Sequence, residues 1–209
     1  MAIVSLVSGG IDSLVMVKII ERQGEKQIPI FVDYGQLARD REWQACKKTM
    51  KISNLPEPLR VDVSGYGNLI PSGITDPTKE INKEAFLPGR NLLFLAIASS
   101  YAYSQGIDKV AIGLLSEKYS LFPDQTENFI VNANFAINAA LGDNITILTP
   151  LITFSKNDVI KLARRYDLPL GETYSCHSGN EEYCGKCVAC QEIIQSDEGS
   201  SLPQLKKRG

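Results

Sequence analysis

The fold of this chain is decided near its start by the stretch IVSLVSGGIDSLVMVKII, which spans residues 3–20. Its first five residues form a short, mostly β-branched apolar run, typical of a strand that is covered on both faces. Residues 14–20 are apolar on nearly every side except at Lys18, which favours a helix packed against a sheet. The SGGIDS segment between them, residues 8–13, therefore predicts a tight turn from a buried strand into a buried helix.

This turn has the chemistry of an anion-binding loop. Gly9 and Gly10 permit positive φ and let a ligand approach the backbone. The unpaired amides and the dipole at the start of a helix favour an anion, and Ser8 and Ser13 add hydroxyl donors. Asp12 repels phosphate, so it fits a helix cap, a magnesium ligand or a group that orients the loop. The alternative is a capped turn without a ligand; the Gly-Lys-Ser/Thr of the other common phosphate loop is missing.

The SGGxDS pattern resembles the signature of the PP-loop ATP pyrophosphatases. This resemblance implies an enzyme that cuts ATP between its α and β phosphates, transfers AMP to an oxygen of the substrate and holds pyrophosphate in the loop. The ATP contacts expected on this basis are Val7, Ser8, Gly9, Gly10, Ile11, Asp12, Ser13 and Asp33.

Length, charge and cysteine content narrow the class of protein. A chain of 209 residues can form one domain with a small appendage. A formal net charge of -2 gives no general argument for nucleic acid or an anionic membrane as partner. No apolar run reaches the length of a membrane span, and the first residues lack the features of a secretion signal. Because most of the cysteines crowd together at metal-like spacing, disulfides are not expected, and the cytoplasm is the expected location.

Strands alternate with helices along the chain, which predicts a doubly wound, parallel α/β sheet. The strands are expected near 2–7, 27–32, 59–63, 109–114 and 145–148, and the helices near 13–23, 37–52, 91–105, 125–140 and 155–166. Residues 64–88 lack a period and predict a lid, a binding loop or a disordered segment. The ligand site is expected at the carboxyl ends of the strands. We expect an ATP-binding α/β domain over 1–170, a metal-binding segment over 171–194 and a flexible, solvated tail over 195–209.

A cysteine cluster near the end of the chain has the spacing C-x7-C-x2-C-x2-C. Its members are Cys176, Cys184, Cys187 and Cys190. Cysteines separated by two residues can chelate one ion from a tight turn, and zinc accepts four sulfurs. We therefore predict a structural zinc site, with an iron–sulfur cluster or disulfides as the alternatives. His177 is interpreted as a polar neighbour of this site rather than a ligand.

Two cations stand where the helix dipole disfavours them. Arg90 lies at the start of the predicted helix at 91–105, and Lys156 follows the Ser155 cap of the last one. Arg90 is therefore predicted to have an anionic partner, such as a phosphate or a carboxylate, and Lys156 is predicted to contact a phosphate. The alternative in each case is an ordinary surface cation.

Further motifs stand in the order that is typical of one PP-loop family. They are YGQ at 34–36, FLPGRN at 86–91, YS at 119–120 with PD at 123–124, TPL at 149–151 and SK at 155–156, followed by the cysteine cluster. From about residue 2 to residue 194 the chain thus resembles the 7-cyano-7-deazaguanine synthase family. The resemblance implies conversion of 7-carboxy-7-deazaguanine and ammonia into the 7-cyano compound, on the route to queuosine. It also implies ATP with Mg²⁺, one Zn²⁺ and a homodimer.

The resemblance also implies roles for individual residues. Catalysis is expected from Ser8, Asp12, Ser13, Arg90 and Lys156. Substrate contacts are expected from Tyr34, Gln36, Phe86, Gly89, Arg90, Asn91, Tyr119 and Asp124. The zinc ligands are expected to be the four clustered cysteines.

The chain departs from the family at positions near the expected substrate mouth. It reads KYSLFPDQT at 118–126, where the family usually reads DYSGYPDCR. Leu37 and Ala38 replace a basic stretch, and Ile193 stands where an arginine is common. Relatives in anti-phage operons are thought to join a deazaguanine to a protein amine through an amide bond. This ligation is the main alternative to synthesis of the 7-cyano compound. A non-catalytic, zinc-stabilised nucleotide scaffold is another, whereas tRNA thiolation is disfavoured because there is no basic surplus.

Overall fold

A computed structural model describes residues 2–119, 121–199 and 202 of the chain. Five parallel strands form one sheet in the order β3-β2-β1-β4-β5. The strands are β1 (Ala2–Val7), β2 (Lys26–Asp33), β3 (Leu59–Asp62), β4 (Lys109–Ala111) and β5 (Thr146–Leu148). The helices are α1 (Ile11–Arg22), α2 (Arg39–Ile52), α3 (Gly65–Leu69), α4 (Arg90–Ser104), α5 (Glu127–Leu141), α6 (Lys156–Arg165) and α7 (Val188–Gln195).

The sheet is covered on both faces, as predicted. Along the central strand β1, Ile3 and Val7 belong to a core with the apolar residues of α1 and α6. Val4 and Leu6 alternate with them and belong to a second core with α4 and α5. This alternation confirms the doubly wound α/β fold. Because β1 has β2 on one side and β4 on the other, the chain reverses its strand order at β1, and a crevice opens at the carboxyl end of that strand.

Most element boundaries lie within one or two residues of the predicted ones, and the start of α1 and the end of β4 are two that differ. Helix α1 begins at Ile11, two residues early, because the backbone of Gly10 is extended (φ -82°, ψ 169°) and already acts as the N-cap. Strand β4 ends at Ala111 instead of Leu114. Its last residue pairs with Leu148, the last residue of β5, and one further hydrogen bond joins the amide of Ile112 to the carbonyl of Leu148 at 3.0 Å.

The segment over 64–88, predicted as a lid, a binding loop or a disordered segment, is ordered and packs beside the turn after β2. It contains the short helix α3 and a small core in which Ile74 and Leu87 pack near Tyr34. The amide of Leu37 also donates to the carbonyl of Ile74 at 2.9 Å. This segment therefore builds one side of the crevice.

The cysteine segment lies beside the SGGIDS turn. The amide of Tyr174 donates to the carbonyl of Gly9 at 3.0 Å. The predicted tail begins with packed residues, since Ser196 and Leu202 are 7% and 2% exposed. The solvated tail expected over 195–209 is thus wrong for this part, because Leu202 joins the core beside α1 and α6. Residues 200–201 and 203–209 lie outside the described part. No described helix is long and apolar enough to cross a membrane.

Candidate active site

A crevice of about 260 Å³ lies at the carboxyl end of the sheet and collects most of the predicted site residues. The predicted residues that line it are Val7, Ser8, Gly10, Asp12, Ser13, Tyr34, Gln36, Arg90, Asn91 and Lys156. The cysteine segment forms the opposite wall through Ser175, His177 and Glu192. A second hollow of about 610 Å³ adjoins it and shares Asp12 and Lys156 as lining. Residues distant in sequence therefore meet in one place.

The phosphate loop, residues 8–13, is held in shape by its own hydroxyls. The amide of Ser8 donates to Ser13 Oγ at 3.1 Å, and Ser13 Oγ donates to the carbonyl of Gly10 at 3.2 Å. Gly9 has a φ of +81°, and a Cβ there would overlap the carbonyl oxygen of Glu42. No side chain caps α1, so its first amides have no partner from a cap and suit an anion.

Asp12 and Lys156 form an ion pair across the crevice. Lys156 Nζ lies 2.8 and 2.7 Å from the two carboxylate oxygens of Asp12 and 3.5 Å from Glu192 Oε2. Burial opposes the charge on Lys156, but the Asp12 and Glu192 carboxylates outweigh it and raise the lysine pKa above its ordinary value. The partners of Lys156 in the described structure are thus protein carboxylates. Asp12 is thus not a cap, and contact of Lys156 with a phosphate stays a prediction.

Helix α6, which carries Lys156, starts as the sequence predicted. Ser155 Oγ accepts from the amide of Asp158 at 3.2 Å, and the amide of Ser155 donates to Asp158 Oδ2 at 2.9 Å. This reciprocal capping box fixes the first turn of the helix. It thereby sets the direction in which Lys156 leaves the backbone.

Some residues that were predicted to contact ATP or the substrate do not line the crevice but hold its walls in place. The carboxylate of Asp33 accepts from the amide of Gly35 at 3.1 Å and pairs with Arg60 at 2.6 Å, so it holds the turn after β2. Asp124 accepts from the backbone amide of Asn91 at 3.3 Å, and its carbonyl accepts from Asn91 Nδ2 at 2.8 Å. These contacts orient Asn91 at the start of α4.

The remaining predicted residues also take supporting places. Phe86 stacks on the crevice-lining Phe122 with ring centroids 5.2 Å apart. Gly89 has a φ of +74° and is the N-cap of α4. Gly9 abuts the backbone of Glu42, and Ile11 is the buried first residue of α1. The side chain of Tyr119 lies outside the described part of the structure.

Arg90 is placed to meet an anion. Its guanidinium lies 5.8 Å from the ring centroid of Tyr34, and both residues line the crevice. Among the described residues, no carboxylate lies within 4.0 Å of it. A crevice arginine without an acidic partner fits the carboxylate or phosphate of a bound ligand.

Sequence reasoning missed several crevice residues, and Glu42 and His177 are two of them. Glu42 is 9% exposed, and its Oε2 accepts from Gln36 Nε2 at 2.9 Å. Its position four residues before the buried Cys46 could have placed it on the inner face of α2. His177, interpreted only as a neighbour of the metal site, lines the crevice with a buried Nδ1 that has no described hydrogen-bond partner.

The four clustered cysteines could hold a metal ion. Their sulfur atoms all lie within 4.8 Å of one another, and three of the four side chains are buried. The amide of Cys184 donates to Cys176 Sγ at 3.2 Å, and the amide of Cys187 donates to Cys184 Sγ at 3.3 Å. Hydrogen bonds between the sulfurs lower the pKa of Cys176 and raise the pKa of Cys187 and of Cys190, because Cys176 accepts from both thiols. Donors aimed at sulfur stabilise thiolates, so the set fits a tetrahedral thiolate site.

Comparison with known proteins agrees with these features. The family model described as queuosine biosynthesis protein QueC matches residues 2–196. The 7-cyano-7-deazaguanine synthase of Nautilia profundicola is 32% identical over 209 residues, which cover 95% of this chain and 94% of the relative. The 7-cyano-7-deazaguanine synthase of Oceanobacillus iheyensis is 34% identical over 205 residues, with 93% and 92% covered.

Solved structures share the fold at lower identity. A predicted subunit of tRNA methyltransferase from Methanocaldococcus jannaschii is 18% identical, with a TM-score of 0.55 over 78% of this chain and 74% of that one. The NMN synthetase of Francisella tularensis is 15% identical, with a TM-score of 0.50 over 92% and 71%. The fold, the phosphate loop, the cysteine set and these matches together show that the chain belongs to the QueC family of queuosine biosynthesis proteins.

Proposed function

We propose that this chain converts 7-carboxy-7-deazaguanine and ammonia into 7-cyano-7-deazaguanine with ATP, as a ligase that forms carbon–nitrogen bonds. The observation that carries the proposal is the crevice in which the phosphate loop faces Arg90 and Lys156. The loop supplies amides and hydroxyls for the departing pyrophosphate, and Arg90 has no acidic partner among the described residues. The names of the relatives support the choice of substrate.

The chemistry requires activation by adenylation. A carboxylate is a poor electrophile because its leaving group would be oxide, whereas an acyl adenylate releases AMP. Ammonia then attacks the acyl carbon and forms the amide. A second adenylation, on the amide oxygen, allows AMP to leave as the nitrile forms. No side-chain nucleophile is needed, so positioning and charge stabilisation account for the catalysis.

The metal ions have separate proposed places. Asp12 is the loop carboxylate that could hold Mg²⁺, which would neutralise phosphate charge when bound with ATP. Zn²⁺ would be held by the four clustered cysteines and would stabilise the fold of the segment that forms one wall of the crevice. We also propose a homodimer in the cytoplasm; sedimentation velocity and fractionation test these two points.

Product analysis tests the proposed reaction. The protein is incubated with 7-carboxy-7-deazaguanine, ATP, Mg²⁺ and ammonia, and the products are identified by mass spectrometry. We expect the 7-cyano product with two AMP and two pyrophosphate for each nitrile. Ser13→Ala should slow the reaction about 10-fold or more, whereas Ser100→Ala, on the exposed face of α4, should not. Absence of both AMP and a deazapurine product from the unaltered protein would contradict the proposal.

A second candidate is ligation of the activated deazaguanine to a protein amine. The adjoining hollow supports it, because its 610 Å³ offers room for an acceptor larger than ammonia and it is lined by Leu121 from the divergent 118–126 stretch. A peptide with a free amino terminus is added in place of ammonia. A deazaguanine amide on that peptide, with no nitrile in the ammonia reaction, would favour this candidate. Retention of ATP with no turnover in either assay would instead favour a nucleotide scaffold.

A further inference from the structure

Three acidic side chains line the crevice, and they differ in how their charges are balanced. Asp12 and Glu192 both pair with Lys156, at 2.7 and 3.5 Å. Glu42 has no cation within 4.0 Å among the described residues. Glu42 is nevertheless buried, with 9% of its surface exposed. Burying a carboxylate without a cation is costly, so the position fits a cationic or proton-donating ligand that enters the crevice.

The surroundings of Glu42 hold its carboxyl group in a defined place. Gln36 Oε1 accepts from the amide of Tyr34 at 2.9 Å, which directs Gln36 Nε2 towards Glu42 Oε2 at 2.9 Å. The backbone of Glu42 abuts the phosphate loop so closely that only glycine fits at position 9. The carboxyl group is therefore held in the crevice, beside the loop that would hold the departing pyrophosphate.

The nucleophile of the proposed reaction enters mainly as ammonium at neutral pH, and ammonium cannot attack an acyl carbon until it loses a proton. We propose that the Glu42 carboxylate binds this ammonium and accepts its proton, as a catalytic residue of the amide-forming step. The inference rests on the proposed function. It assigns to Glu42 a role that neither the phosphate loop nor the two crevice cations can fill, because those groups bind anions.

The step balances as follows. One N–H bond of ammonium breaks, its electrons stay on nitrogen, and the proton moves to a Glu42 oxygen. The nitrogen lone pair then forms the C–N bond, and the C–O bond to AMP breaks with its electrons leaving on AMP. The surplus proton on the new amide nitrogen passes to solvent, and Glu42 later releases its own proton to solvent.

The electrostatics of the site suit this role. Burial raises the pKa of Glu42 to about 7. The hydrogen bond from Gln36 and the charge of Arg90 lower it, whereas the charges of Asp33 and Cys176 raise it further. A carboxyl group with a pKa near the operating pH can both accept a proton and release it again.

Glu42→Gln tests the inference, because it preserves the volume and can still accept the hydrogen bond from Gln36. Asp40→Asn is the control, since Asp40 is an exposed carboxylate on the same helix. Exchange of labelled pyrophosphate into ATP, driven by 7-carboxy-7-deazaguanine without ammonia, reports activation alone. We expect E42Q to keep this exchange within about 2-fold and to lose about 100-fold or more in kcat/KM for ammonia. The acidic limb of the pH profile for the ammonia reaction should also change.

Hydroxylamine provides a second readout, because it is largely unprotonated at neutral pH and needs no base. E42Q should form the hydroxamate at nearly the unaltered rate. An unchanged ammonia reaction in E42Q would overturn the inference, and so would equal losses with ammonia and hydroxylamine. If E42Q fails to fold, Glu42→Asp is used in its place. We then expect kcat/KM for ammonia to fall by a larger factor than the rate of pyrophosphate exchange. If the unaltered protein shows no exchange, the proposed function itself fails.

Discussion

The close approach of Gly9 to α2 leads to a sharp prediction about Gly9→Ala. Gly9 has a φ of +81°, and a Cβ at this position would overlap the carbonyl oxygen of Glu42 and lie 2.8 Å from the amide nitrogen of Cys46. Both neighbours are backbone atoms of α2, so they cannot rotate away. The substitution must therefore shift the phosphate loop, the helix or both.

Gly24→Ala is a matched control for the backbone conformation. Gly24 has a φ of +80°, yet nothing lies within 4 Å of the position that its Cβ would take. A left-handed conformation costs a residue with a Cβ roughly 1–2 kcal/mol, and this is the whole cost expected for Gly24→Ala. Overpacking adds about 1–3 kcal/mol, so Gly9→Ala should lose roughly 2–5 kcal/mol of unfolding free energy.

The measurement is urea unfolding of the zinc-loaded protein, together with ATP binding by calorimetry. Gly9→Ala should weaken ATP binding about 10-fold or more, because the loop amides move, whereas Gly24→Ala should bind ATP normally. If both variants lose the same stability, the close approach of α2 to the loop is not the constraint on Gly9. Unaltered ATP binding by a destabilised Gly9→Ala would likewise refute the link between loop geometry and nucleotide.

Three further predictions follow from the capping box, the cysteine cluster and the buried carboxyl group. Ser155→Ala removes the capping box of α6 and should cost about 1 kcal/mol in urea unfolding, while the exposed Ser100→Ala costs much less. Cys187→Ser should lower the zinc content measured by mass spectrometry and lower the unfolding free energy by roughly several kcal/mol. An unchanged zinc content would contradict the thiolate site. Because burial raises the pKa of Glu42 from 4.5 to about 7, the folded protein binds this proton more tightly than the unfolded chain. The folded protein is therefore most stable with this group protonated at low pH, and it loses that stability as the pH rises towards 7. The unfolding free energy of E42Q, measured relative to that of the unaltered protein, should rise by about 2 kcal/mol from pH 5.5 to pH 8. A difference that stays constant with pH would contradict the burial of this carboxyl group.

Features set by neighbouring residues were predictable. The alternation of β1, the glycines and hydroxyls of the phosphate loop and the Ser155 capping box each depend on spacings of a few residues. The clustering of the four cysteines follows from their own short spacing. Local periodicity and turn chemistry act whatever lies elsewhere in the chain, so the sequence by itself determined the fold class, the loop and the cluster.

Features that join distant parts of the chain were decided by the tertiary structure. Asp12 and Lys156 are 144 positions apart, and the ion pair between them exists because α1 and α6 pack on the same face of the sheet. Glu42 is an ordinary helix residue in the sequence, yet the order of β1 and β2 places it beside the phosphate loop. Strand order and packing decide such contacts, and no local spacing encodes them, since each depends on how whole elements bury their apolar faces.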